Sequence, residues 1–155
     1  MASARVLRVY TDTSVFGGQF DAPFAVASRA FFDRVAKGDF RLVISRMIAD
    51  ELSLAPERVR ATLDSIPSAF LEYHEVTEEM EALQGAYLAA AVVPRGSRAD
   101  ALHVAAATVL GADMIVSWNF KHIVNYKRIR GFNAVNLSRG YKIIDIYSPL
   151  EVAKT

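Results

Sequence analysis

The run Val6-Leu7-Arg8-Val9-Tyr10-Thr11-Asp12-Thr13-Ser14 is typical of a buried β-strand that ends at a carboxylate and two hydroxyl residues. Its β-branched and aromatic residues predict a strand over about residues 6–11. In open α/β sheets, ligands bind outside the carboxyl ends of the strands, because the strand holds a side chain rigidly and the following loop leaves room. We therefore expect Asp12 to face a ligand.

Strand-like and helix-like segments alternate along the rest of the chain. This alternation predicts an α/β fold, a three-layer α/β/α sandwich with a mostly parallel central sheet. Gly17-Gly18 and Pro23 indicate a loop, and Pro94 with Gly96 indicates the end of a helix that begins after Thr77. Further strands are expected at about residues 40–44, 70–76, 114–117 and 141–147, and the segment 124–137 is interpreted as loop plus helix.

The composition limits the class of protein. A length of 155 residues fits a single domain over residues 1–155, and the 52% hydrophobic content leaves apolar area for a homodimer or another partner. No cysteine is present, so any metal must take oxygen or imidazole ligands. The formal charge of +1 does not by itself indicate a nucleic-acid binder.

The start of the chain does not resemble a signal peptide and no segment fits a membrane span, so we expect a cytoplasmic protein.

Three acids occupy comparable positions at the expected edge of the sheet. Asp12 follows a strand, Glu51 lies in the helix after the next strand, and Asp100 opens a later helix. Carboxylate oxygens are the ligands that Mg²⁺ and Mn²⁺ prefer, which makes a divalent metal site one interpretation. The other interpretation is local: a turn or cap at Asp12, a solvated residue at Glu51, and a favourable first-turn charge at Asp100.

Four segments resemble, in order, the motifs of the PIN domain: Val9–Val15, Ala49–Leu52, Arg98–Ala107 and Ile115–His122. The resemblance covers almost the whole chain and is greatest to the VapC family of toxins from toxin–antitoxin pairs. It implies a Mg²⁺- or Mn²⁺-dependent ribonuclease that cuts single-stranded or structured RNA, is inhibited by an antitoxin protein, and is usually dimeric.

The resemblance also assigns site residues. Asp12, Glu51 and Asp100 match the family's metal-binding acids, and Asn119 stands where many PIN domains have a fourth acid. The neutral amide removes one negative charge, so we expect one strongly bound ion, with a second arriving with RNA.

Hydroxyl, basic and aromatic residues near these acids have two interpretations each. Ser14 and Ser117 either position a water or a phosphate oxygen, or satisfy backbone groups in their turns. Arg98 and Lys121 either contact the RNA backbone or are simply solvated. Trp118 is the preferred residue for stacking on an unpaired base, whereas Phe120 is expected to pack in the core.

His103 follows Asp100 by three residues, so the two lie on similar faces of the helix. His103 either orients a carboxylate, touches RNA, or packs with a local hydrogen bond. His122 with Lys121 either contacts a phosphate or lies in a solvated loop.

Three other classes of protein are alternatives to a nuclease. A haloacid-dehalogenase-like phosphatase needs a second Asp where this chain has Ser14, and a receiver domain needs an Asp near Ser45. Neither fits. The remaining alternative is a catalytically weak or inactive PIN fold that binds RNA or a partner, since Asn119 weakens the metal site.

Overall fold

The computed structural model describes residues 5–153, and the outermost residues of the predicted domain, 1–4 and 154–155, lie outside that range. Within it, five strands form one sheet in the order β3-β2-β1-β4-β5, and every neighbouring pair is parallel. The strands are β1 Leu7–Thr11, β2 Phe40–Ser45, β3 Leu71–His74, β4 Met114–Val116 and β5 Asp145–Tyr147. The prediction of an α/β sandwich with a parallel sheet is confirmed.

Eight α-helices accompany the sheet in the described range, and none of them is long and apolar enough to cross a membrane. They are α1 Thr13–Gly18, α2 Ala25–Ala36, α3 Arg46–Ser53, α4 Glu57–Ser65, α5 Glu78–Ala89, α6 Arg98–Val109, α7 Tyr126–Ser138 and α8 Pro149–Val152. Contacts between helices divide them into two groups, α1–α4 with α8 and α5–α7. These groups form the outer layers of the sandwich.

The central strands are buried because both faces of a parallel sheet are covered by helices. Val9 and Tyr10 of β1 are 0% exposed, and Val9 lies in register with Leu42 of β2 and Met114 of β4. This packing fixes the carboxyl end of β1 in the middle of the sheet, next to that of β4.

Helix α1 is a departure from the predicted loop. Gly17 and Gly18 are helical, although glycine normally weakens a helix. A Cβ on Gly18 would lie 2.7 Å from both Ser28 Oγ and Trp118 Nε1, so glycine allows a close approach there. The helix exists because tertiary packing outweighs local propensity.

The observed ends of other helices and strands agree in part with those predicted from the sequence. Helix α5 ends at Ala89, before the predicted Pro94, since Ala91 adopts a left-handed backbone with φ of 55°. Thr77 caps α5 as predicted, accepting from the Met80 N–H at 3.3 Å. The segment expected to be loop plus helix contains α7, whereas β5 begins only at Asp145.

Candidate active site

The topology of the sheet creates a crevice between β1 and β4. The chain passes from β1 to β2 and β3 on one side, then continues with β4 and β5 on the other. At such a switch point the loops after the two central strands diverge, and ligands bind there in open α/β sheets. Asp12 directly follows β1 and Ser117 directly follows β4, so both side chains belong to this crevice.

Asp12 is buried among hydroxyl groups. Its side chain is only 6% exposed, Ser14 Oγ donates to Oδ1 at 2.5 Å, and Ser117 Oγ donates to Oδ2 at 2.7 Å. Burial raises the pKa of Asp12 above its ordinary value, since it penalises the charged form more than these hydrogen bonds favour it. The hydrogen bonds from the serines and the nearby His103 therefore compensate the burial of this carboxyl group only in part.

Ser14 and Ser117 also bind the loop after β4. Ser14 Oγ accepts from the Trp118 N–H at 2.9 Å, and Ser117 Oγ accepts from the Asn119 N–H at 2.9 Å. Ser117 thus satisfies a backbone group in its own turn, as one of the two sequence interpretations expected, whereas Ser14 satisfies one in the other loop, and the two hydroxyls join both loops to Asp12. Their predicted contact with a water or phosphate stays a prediction.

Glu51 lies on α3 and is held from two sides. Thr13 Oγ1 donates to Oε2 at 2.5 Å, and His103 Nε2 lies 3.3 Å from Oε1. The hydrogen bond from His103 is the main cause that holds the pKa of Glu51 below its ordinary value, against the opposing effect of partial burial. Glu51 is consequently ionised at neutral pH and can accept a proton.

A buried chain of hydrogen bonds supports His103, which is 3% exposed. Tyr10 Oη lies 2.8 Å from His103 Nδ1 and 2.9 Å from Ser45 Oγ. A carboxylate only accepts, so His103 Nε2 carries the proton toward Glu51, and in the neutral imidazole Nδ1 accepts from Tyr10. His103 therefore orients a carboxylate, but that of Glu51 and not of Asp100, its neighbour on α6.

Asp100 lies in the first turn of α6 and pairs with a different histidine. His122 Nδ1 is 3.1 Å from Asp100 Oδ2, and the His122 N–H donates to Asn119 Oδ1 at 3.0 Å. Ser97 occupies the N-cap position of α6 without capping it, and its Oγ lies 3.2 Å from His122 Nδ1. The loop after β4 thus also determines the position of Asp100.

The three acids lack arginine and lysine partners in the described part of the chain. Arginine ion pairs form with other acids, whereas Glu51 and Asp100 pair only with histidines and Asp12 with hydroxyls. An all-oxygen donor set that no arginine or lysine neutralises fits Mg²⁺ or Mn²⁺ in chemistry. Within residues 5–153, however, no three acidic or imidazole side chains converge enough to hold an ion.

The basic and aromatic candidates differ in exposure. Arg98 and Lys121 are exposed, and neither forms an ion pair within residues 5–153. Trp118 is 7% exposed and its Nε1 donates to Ser28 Oγ at 2.8 Å, so its ring is not open to a base in this arrangement. Phe120 is 46% exposed, and the prediction that it packs in the core is wrong.

Sequence reasoning missed the pairing of Thr13 with Glu51, of Tyr10 with His103, and of His122 with Asp100. The motif order showed that these residues belong to one edge of the sheet. It contained no signal for which donor meets which carboxylate.

Comparisons with known proteins address the fold. No family model matches the sequence, and no curated protein matches it significantly. A chain in the crystal structure of VapBC2 from Rickettsia felis bound to a DNA fragment from their promoter matches with a TM-score of 0.59 at 15% identity. The match covers 92% of this chain and 98% of that one. This likeness shows the fold. It is the PIN-like α/β/α fold that the motifs predict.

A second solved structure, tyrosyl-tRNA synthetase from Aeropyrum pernix, matches with a TM-score of 0.47 at 11% identity. That match covers 92% of this chain and 52% of the synthetase chain.

Proposed function

We propose that the protein is a metal-dependent endoribonuclease that cleaves phosphodiester bonds of RNA and is the toxin of a toxin–antitoxin pair. The observation that carries this proposal is Asp12, a buried carboxylate without a basic partner at the switch point of a PIN-like sheet. A buried charge of this kind is costly unless a cation compensates it. Glu51 and Asp100 on neighbouring helices add two further acids.

Asp12, Glu51 and Asp100 are the residues that would hold Mg²⁺ or Mn²⁺. Such an ion, when bound, lowers the pKa of a water and offsets negative charge on the phosphate. Ser14 and Ser117 orient both oxygens of Asp12. Glu51, ionised at neutral pH, would accept the proton of the attacking water, although its lowered pKa makes it a weaker base than an ordinary glutamate while His103 holds it.

Binding by all three acids requires some of their present hydrogen bonds to exchange. His103 holds Glu51 and His122 holds Asp100, so each histidine would release its acid or move with it. Asn119 contributes no charge and holds the loop in place through the His122 N–H. We therefore expect one strongly bound ion and a second that arrives with RNA.

Protein partners belong to the same proposal. The likeness to a chain of VapBC2 supports a cognate antitoxin as one partner and, with the family resemblance, a homodimer as the assembly. Val26, 83% exposed, and Leu54, 90% exposed, provide apolar surface for such contacts.

Cleavage of a mixed set of labelled RNAs in Mg²⁺, in Mn²⁺ and in EDTA tests the proposal. We expect cleavage only with metal, and none by Asp12→Asn or Asp100→Asn proteins that keep the wild-type circular dichroism spectrum. Asp50→Asn is the matched control, because Asp50 is an exposed acid beside Glu51 and should leave cleavage intact. Equal cleavage by wild type and Asp12→Asn contradicts the metal site.

The second candidate function is an RNA-binding or partner-binding module with weak or no cleavage. The observation in its favour is that, in the described residues, each acid has its own hydrogen-bond partners and no three acidic or imidazole groups converge. Clear binding of RNA without cleavage of any RNA tested, with either metal, would favour this module over the nuclease.

A further inference from the structure

Phe120 is an exposed aromatic side chain in the loop that connects the acids. It directly follows Asn119, and its ring is 46% exposed. Two residues later, His122 contacts Asp100, and three residues earlier, Ser117 contacts Asp12. Phe120 therefore lies in the short loop whose neighbouring residues contact two of the acids, and its exposed ring is available to a ligand bound at that loop.

The loop that carries Phe120 is held firmly. The Phe120 N–H donates to the Trp118 carbonyl at 2.9 Å, and the Val124 N–H donates to the Asn119 carbonyl at 2.8 Å. Behind the ring, Trp118 lies edge-on with centroids 6.0 Å apart, and Trp118 itself packs on Phe24 at 4.4 Å. Buried Trp118, itself packed on the partly buried Phe24, therefore supports the exposed ring, which lowers the entropic cost of stacking a ligand on it.

Phe120 has one exposed cation beside it in the sequence and a second on α6, and these are available to an anionic ligand with flat apolar groups even though the crevice itself is acidic. Lys121 is exposed directly after it, Arg98 is exposed two residues before Asp100, and neither pairs with an acid in residues 5–153. Nucleic acid combines phosphate anions with planar bases, and proteins that bind single strands use cations for the first and aromatic rings for the second.

Phe120 differs from the other exposed aromatic residue nearby along the chain. Tyr126 is 76% exposed, but the guanidinium of Arg130 lies over its ring at 5.6 Å from the centroid, and Arg130 donates to its hydroxyl. One face of Tyr126 is thus occupied. The ring contact found for Phe120 in the described residues is the edge contact with Trp118, and its 46% exposure leaves ring surface for a base.

We propose that Phe120 stacks on an unpaired base next to the phosphate at the carboxylates, while Lys121 contacts the strand's backbone. The substrate of the site is therefore single-stranded at that nucleotide, because a base inside a duplex is not available for stacking on a side chain. This inference rests on the proposed function for the identity of the nucleic acid and adds the residue that selects unpaired RNA.

Binding without cleavage separates this inference from the nuclease proposal. Fluorescence anisotropy in EDTA measures the affinity of the full chain for a labelled unpaired RNA and for a duplex of the same sequence. We expect Phe120→Leu to bind the unpaired RNA about 10-fold more weakly and the duplex unchanged, since stacking on an aromatic face is lost. Phe120→Trp should bind like wild type, and Tyr126→Leu is the matched control that should also bind like wild type.

A scan of abasic nucleotides along the RNA identifies the stacked position. At one position the missing base should weaken binding of wild type about 10-fold and that of Phe120→Leu not at all, because both changes remove the same contact. Affinity of Phe120→Leu within twofold of wild type, equal losses for single strand and duplex, or no RNA binding by wild type overturns the inference. Phe120-dependent binding without cleavage in Mg²⁺ contradicts only the proposed nuclease.

Discussion

Replacing Asp12 with Asn should not destabilise the protein, although Asp12 is 6% exposed and bonded to two serines. Asn keeps the shape of the side chain and removes its charge, and its NH2 group keeps the second hydrogen bond if the facing serine hydroxyl turns to accept. Burial raises the pKa of Asp12, so at neutral pH the ionised acid lowers the free energy of unfolding by about 1.4 kcal/mol for each unit of the rise. We expect the free energy of unfolding of Asp12→Asn at pH 7 in EDTA to equal or exceed that of wild type.

The difference between the two proteins should depend on pH in a specific direction. A raised folded-state pKa means that the folded protein binds the proton more tightly than the unfolded chain. The contribution of Asp12 to the free energy of unfolding is therefore fully present below the ordinary Asp pKa of about 3.9 and is lost as pH rises through the raised pKa of Asp12. The difference in the free energy of unfolding between Asp12→Asn and wild type should thus be absent at low pH, grow as pH rises, and then stay constant.

Urea denaturation in EDTA at a series of pH values, with and without Mg²⁺, measures these effects. An ion that binds only the folded state adds about 2.7 kcal/mol when its concentration is 100 times its Kd. Mg²⁺ should add such stability to wild type and clearly less to Asp12→Asn. Asp50→Asn, which changes an exposed acid on α3, should keep the wild-type response to both pH and Mg²⁺.

Two outcomes refute this reasoning. If Asp12→Asn is less stable than wild type by more than about 1 kcal/mol in EDTA at pH 7, the hydrogen bonds from the serines outweigh the cost of burial. If Mg²⁺ stabilises both proteins equally, Asp12 is not a ligand of the ion.

Two further predictions concern the packing behind the site. Gly18→Ala should lower the free energy of unfolding by about 1–3 kcal/mol and shift the fluorescence of Trp118, the single tryptophan, because the new Cβ clashes with its ring. Gly17→Ala meets nothing within 4 Å, and an equal effect there would contradict the clash. Tyr10→Phe should cost about 1–3 kcal/mol in urea denaturation, because it leaves the buried His103 Nδ1 without its donor, and a cost near zero would contradict this bond.

The sheet could be predicted from sequence because burial on both faces requires a continuous run of apolar residues in the central strands. Val9 and Tyr10 lie in an apolar run for this reason, and alternation with helices implied parallel strands. Helix α1 could not be predicted, because Gly18 is required by Trp118, a residue 100 positions away along the chain, and local propensity contains no information on that contact.

The acids of the site could be predicted, but their environment could not. Asp12 follows a strand and was predictable as an edge residue, whereas its partner Ser117 is separated from it by 105 positions. Trp118 was preferred for stacking and Phe120 for the core, yet Trp118 is 7% exposed and Phe120 46% exposed, because both lie beyond the end of β4 at Val116, where the loop geometry decides which ring is buried. Long-range contacts of this kind can be predicted only once the order of the strands in the sheet is known.

The amide at Asn119 helps this edge of the sheet to tolerate three acids that have no arginine or lysine partner in the described residues. Its Oδ1 accepts from the His122 N–H, so the side chain holds the loop that carries both Phe120 and His122. An Asp there could make the same bond but would add a fourth negative charge beside Asp100, and like charges raise the cost of every neighbouring ionisation. A neutral residue thus keeps the geometry of the loop and limits the unpaired charge. Most of the remaining cost falls on Asp12, which is the most buried of the three acids and for that reason the one that should gain most from a cation.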